Sequence, residues 1–246
     1  MLSGYISIFA NAPLNENSEN PKHPVGTKAV TPDGRTFRYA RAGAADQNVA
    51  ELMIQADVTA NHEDIPFAVI GNVGDESISV TLGGTAVIAQ EYVGGYVVVN
   101  DGDGEGHVYG ITSHDASAAG GEAITIYIKP GLKVATALAS TVTLVRNPYS
   151  SFVQAVGGDQ TDLPVGVTVI AVTAYYFCWL QTGGVASILT ATTGAPAALE
   201  QITIGEAEDG SVSGRDADTE QRVGLALAGT TPVAAEHNPY VLTLDT

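Results

Sequence analysis

The chain has 246 residues, with 10 Lys and Arg against 27 Asp and Glu and a formal net charge of −17. That balance excludes a nucleic-acid binder working through a basic surface, because phosphate contacts need clustered cations; the single cysteine excludes an intrachain disulfide. Hydrophobic residues, at 45%, are too many for a disordered chain and at this length suffice for one large β domain or two small ones.

The first residues, Met1 to Ala12, are mildly apolar but lack a basic region and a long apolar stretch. No secretory leader is expected, despite the small-residue triplet Ala10-Asn11-Ala12. No segment reaches 18 uncharged apolar residues, so no transmembrane helix is expected. Residues 11–24 hold three prolines and four asparagines and cannot pack a core of their own. They predict an extended arm over residues 1–25. Tyr5, Ile6, Ile8 and Phe9 give that arm apolar side chains to bury on a neighbouring subunit, and are the candidate interaction residues.

From Gly26 the signals are those of short strands. Thr31-Pro-Asp-Gly34 is a turn, since Pro32 presets φ and Gly34 tolerates the left-handed region. Thr36 to Tyr39 alternates as a half-buried strand does. Residues 49–58 read as irregular structure and strand. Ser77 to Leu82 alternates and runs into Gly83-Gly84, a hairpin signal. Strands are also predicted over 86–89, 95–100, 107–112, 123–128 and 141–145, with turns at 94–95, 101–106, 120–121 and 130–131. A second block follows Asn147-Pro-Tyr149, with strands over 167–172, 175–181, 186–189, 201–204, 223–228 and 240–244. Gln181 to Gly184 reads as a hairpin turn, and the acidic, Gly-rich stretch 206–221 as an exposed loop. The expectation is an all-β antiparallel sandwich or barrel, in two β-rich lobes: the arm over 1–25, a domain over 26–147 and a domain over 148–246.

Chemistry-bearing patterns are few. Asp101-Gly-Asp103-Gly-Glu105-Gly-His107 offers alternating acids on a Gly-rich loop, a weak candidate for Ca²⁺, but position 12 of an EF-hand loop would be Thr112 rather than an acid. A tight, solvated acidic turn is the plainer reading, so no metal is assigned. His107 and His114, with Glu105 and Asp115, form a cluster if they meet across a hairpin. Gly210-Ser-Val-Ser-Gly214 puts Val212 where a nucleophile elbow needs serine, and no P-loop occurs. Cys178 lies between large apolar neighbours, as a buried inert thiol does. Tyr175, Phe177 and Trp179 share one strand face and Tyr176, Cys178 and Leu180 the other, which favours a buried central strand over a sugar platform. No catalytic residues and no cofactor are expected.

Several segments carry a family resemblance. Gly26-Thr-Lys, Pro32-Asp-Gly-Arg-Thr-Phe-Arg-Tyr-Ala-Arg-Ala-Gly43 and Tyr92-Val-Gly-Gly-Tyr-Val-Val-Val-Asn-Asp-Gly-Asp-Gly-Glu-Gly-His107 resemble structural proteins of tailed-bacteriophage heads. So do Asn147-Pro-Tyr149, Pro164-Val-Gly-Val167, Tyr175 to Gly184, Val223-Gly-Leu-Ala-Leu227 and the closing strand Tyr240 to Asp245. The resemblance runs from about Gly26 to the end and does not include the arm. It implies a non-enzymatic decoration, or cement, protein on the capsid exterior, made in the host cytoplasm and carried in the virion. Its partner is then the major capsid protein, with a homo-oligomer (dimer or trimer) on the shell and no nucleic-acid or membrane partner. The alternative is a receptor- or glycan-binding module of a phage fibre; a hydrolase or metal-dependent enzyme built on residues 101–115 ranks third. The charge suits the first reading, because −17 keeps free copies apart in solution.

Overall fold

The computed structural model describes residues 6–7, 12–56, 59–89, 91–158 and 162–245. Among them are seventeen strands, two short 3₁₀ turns and no α-helix, so the chain is all-β. The strands are β1 Ile6–Ser7, β2 Lys28–Val30, β3 Thr36–Ala42, β4 Leu52–Ile54, β5 Ile65–Pro66, β6 Ser77–Thr81, β7 Tyr96–Asp101, β8 Val108–His114 and β9 Ala123–Lys129. They continue as β10 Thr141–Val145, β11 Ser150–Gln154, β12 Pro164–Thr168, β13 Phe177–Leu189, β14 Gln201–Ile204, β15 Val212–Gly214, β16 Gly224–Ala226 and β17 His237–Thr243. Two compact units result: Asp57–Asn147, and Met1–Ala56 together with Pro148–Thr246.

In the Asp57–Asn147 unit the sheet order is β5-β10-β7-β8-β9-β6, antiparallel throughout. A bridge from Phe67 to Val80 joins the two edge strands and closes the sheet into a barrel. The strict alternation of the sequence decides which side faces in. Ile78 and Val80, Val97 and Val99, Tyr109 and Ile111, Ile124, Ile126 and Ile128, and Val142 and Leu144 all point into one core, while intervening side chains face out. Gly83-Gly84 does not make a hairpin, because β6 pairs with β9 rather than with the next strand. The glycines instead let two loops touch: a Cβ on Gly120 would sit 2.3 Å from the Gly84 carbonyl carbon. The strand expected over 86–89 reduces to one bridge, Val87 to Ser117.

The other unit holds an eleven-stranded sheet in the order β1-β2-β3-β11-β4-β12-β13-β17-β16-β14-β15, with β3 also paired to β13. That extra pairing closes β3, β11, β4, β12 and β13 into a five-stranded ring. Each ring strand sends apolar side chains inward: Ala40 and Ala42, Phe152, Met53, Val165, and Cys178 with Leu180. Outside the ring, Leu52, Ile54 and Val167 pack against Ile188, Ile202, Ile204, Val212, Tyr240 and Leu242 of the sheet extension, making a sandwich. A third core, Leu14, Ala29, Phe37, Tyr39 and Trp179, lies on the outward face of β3 and β13.

Three expectations are corrected here. The domain expected over 26–147 is not one body. Its first part supplies β2, β3 and β4 to the other unit, where β3 pairs in parallel with β11 and antiparallel with β13. The hairpin expected at Gln181 to Gly184 is absent. β13 runs straight through it, with a register shift between Gln181 and Gly183, and changes partner from β3 to β17 there. The stretch 206–221 is not simply an exposed loop, since Gly210, Ser211, Val212 and Ser213 are buried and β15 pairs with β14.

Candidate functional site

The candidate interaction residues of the arm fall mostly outside the described residues: Tyr5, Ile8 and Phe9 do, and of Ile6 only the backbone is described, in β1 paired in parallel with β2. The rest of the arm is not free to reach a neighbour. Residues 14–23 fold back onto their own unit, where Leu14 is buried. Ser18 forms a two-way backbone bridge with Phe177, at 3.1 and 2.8 Å. The carboxylate of Glu16 accepts from the hydroxyls of Tyr39 and Ser18, each at 2.7 Å, with Lys22 Nζ at 3.5 Å. Burial works to raise the Glu16 carboxyl, but these hydrogen bonds and the lysine charge together outweigh it and hold the group below the usual carboxylate range. Burial, with the bond to Glu16 adding to it, pushes the Tyr39 phenol up to about 12. His23 closes the seam, edge-on to Tyr39 at 5.2 Å and tilted on Trp179 at 5.3 Å. The prolines that suggested an open arm instead set an irregular path over an aromatic face.

Asp101, Asp103, Glu105 and His107 form the β7–β8 turn. Gly102, Gly104 and Gly106 all have φ between 79° and 90°, the left-handed region that only glycine enters without strain. The three acids point to solvent, and His107 Nδ1 lies 3.0 Å from the Gly104 carbonyl with its ring stacked on Tyr109. His107 and His114 do not meet. They stand at opposite ends of β8, roughly 20 Å apart at about 3.3 Å per residue. Among the described residues, no three of His, Cys, Asp or Glu are placed to share a metal ion.

The aromatic run passes from exposed to buried along its length. Trp179 is buried under the N-terminal segment, Phe177 stacks on Tyr39 at 5.9 Å, and Tyr175 alone of the three is exposed. Cys178 lies inside the ring, where burial pushes its thiol up and out of the reactive range.

Two polar clusters escaped sequence reasoning. At the end of the barrel where the chain enters and leaves, the Arg146 guanidinium donates to Glu91 and, at 3.0 Å, to Thr59 Oγ1, and lies 5.7 Å above the Tyr92 ring. Beside it the fully buried His62 places Nε2 3.0 Å from the Thr85 carbonyl and Nδ1 2.7 Å from the Tyr92 hydroxyl. A carbonyl only accepts, so Nε2 carries a proton and donates to Thr85. In the other unit Asp245 receives Arg38 Nε at 2.6 Å and Lys28 Nζ at 3.1 Å. Burial works to raise the Asp245 carboxyl, but the two cations outweigh it and hold it below the usual range. The partners in these clusters lie up to 217 positions apart, so no local pattern announces them. No protein-family model, curated protein or solved structure matches the chain.

Proposed function

We propose that this chain is a virion structural protein. In this reading it decorates the outer surface of a bacteriophage capsid as a dimer or trimer, binds the major capsid protein and stabilises the shell, without catalysis. The observation that carries the reading is the use made of the polar clusters. Glu16 with Tyr39, Glu91 with Arg146, His62 with Tyr92 and Asp245 with Arg38 are each spent on contacts inside their own unit, where they act as struts. Groups committed in this way stiffen a scaffold that acts through area and shape. The resemblance of the segments between Gly26 and Asp245 to phage head proteins supports the same reading, as do acids on exposed turns such as 101–105, which leave the strands for packing.

The test compares phage heads with and without the protein. Particles carrying it should resist a higher temperature or a greater indentation force before releasing DNA. Equal melting of the two kinds of particle would count decisively against decoration.

A further inference from the structure

Three loops close the end of the Asp57–Asn147 barrel opposite to the chain's entry and exit: 67–76 after β5, 102–107 after β7 and 130–140 after β9. They are pinned to one another. The Gly74 amide donates to the Leu132 carbonyl at 2.8 Å, the Leu132 amide to the Asp75 carbonyl at 2.9 Å, and the Thr136 amide to the Gly71 carbonyl at 2.9 Å. Ser140 Oγ donates to the Asp103 carbonyl at 3.0 Å. Gly71 sits so tightly that an added Cβ would meet Leu132 at 2.5 Å. Leu132 anchors this platform from inside the core, yet Val69, Ile70, Val73 and Leu138 stand 60%, 56%, 67% and 56% exposed, with Val134 beside them. An ordered loop surface that keeps aliphatic side chains in water is what contact sites look like before they are covered. The same three loops and the strand ends beside them carry more acid than base: Asp75, Glu76, Asp101, Asp103 and Glu105 outnumber Lys129 and Lys133.

We propose that this loop platform is the surface that docks on the shell subunit, at a face that is apolar in its centre and rimmed with Lys and Arg. The assignment rests on the decoration reading and names the part of the molecule that carries it out. Charge complementarity argues for that partner over a second copy, since two platforms face to face would oppose acid to acid on chains of net charge −17. Size argues the same way. Five aliphatic side chains fall short of the roughly 800 Å² per partner of a stable pairwise interface. One platform therefore holds weakly, and firm attachment comes from several platforms engaging a surface that repeats.

The experiment is co-sedimentation of the full chain with empty shells assembled from the major capsid protein of the same genome. Wild type should pellet with shells, less so at high salt, and V73D/L138D should lose about tenfold or more in affinity. Ile88→Asp, 60% exposed at the opposite end of the barrel, should bind as wild type does. All three positions are solvent-facing, so the variants should melt at the temperature of wild type, which keeps folding out of the readout. Wild-type binding with no loss in V73D/L138D overturns the surface assignment alone. An equal loss in I88D overturns it too, as does a wild-type oligomer that V73D/L138D dissociates. Wild type that ignores the shells removes the decoration reading, and this assignment with it.

Discussion

The Tyr39 hydroxyl donates to the Glu16 carboxylate at 2.7 Å, across the seam between strand β3 and the N-terminal segment. The same oxygen accepts the Lys22 amide at 3.0 Å, so one phenol ties both ends of the segment to the sheet. Tyr39→Phe keeps the ring and removes both bonds, leaving a buried carboxylate short of a donor. Such a loss costs about 1–3 kcal/mol. The variant should unfold at lower urea than wild type and be cut sooner by protease within residues 14–24. Unchanged unfolding and cutting would contradict the role given to the seam.

Asp245 sets a pH prediction. Its folded carboxyl lies below the usual range, so the pair with Arg38 and Lys28 contributes stability above the unfolded value of about 3.9. That contribution disappears as pH falls through the folded value. Asp245→Asn should therefore cost stability at pH 7, by less than about 1 kcal/mol because the site is only partly shielded from water. At pH 2 the variant and wild type should converge. Urea titrations at the two pH values measure this directly, and a difference that persists at pH 2 would argue against the pair.

Trp179 is the only tryptophan and is 1% exposed. Its fluorescence should be blue-shifted and resistant to iodide quenching, and simple sugars should leave it unchanged. Cys178, next to it and inside the ring, should ignore a thiol reagent until the chain is unfolded. A quenchable tryptophan or a fast-reacting thiol in the native protein would place the aromatic run outside the core.

Gly224 approaches β17 so closely that an added Cβ would lie 2.1 Å from the Val241 carbonyl oxygen. Backbone cannot yield as a flexible side chain can. Gly224→Ala should cost about 3 kcal/mol or more by forcing β16 off its partner. Gly34→Ala, at φ 85° with no atom within 4 Å, measures conformational strain alone and should cost about 1–2 kcal/mol. Thermal melts of the two variants separate the effects, and equal losses would refute the close approach.

The sequence by itself determined the all-β class and most individual strands, because a strand with one buried face writes its alternation into adjacent residues. Ser77 to Thr81, Tyr96 to Asp101 and Ala123 to Lys129 are legible for that reason. The turn at Thr31 to Gly34 was equally legible, and its Gly34 amide donates to the Thr31 carbonyl at 2.9 Å. Pairing partners were not legible, because hydrogen bonds between strands join backbones and leave little trace in side-chain identity. Only the tertiary structure brought β3 beside both β11 and β13, joined Arg38 to Asp245 and laid Glu16 on Tyr39. Gly183-Gly184 shows the limit most plainly. Locally the pair spells a turn, but β3 on one stretch and β17 on the next supply continuous backbone partners, so the strand carries on through the glycines and joins the ring to the rest of the sheet.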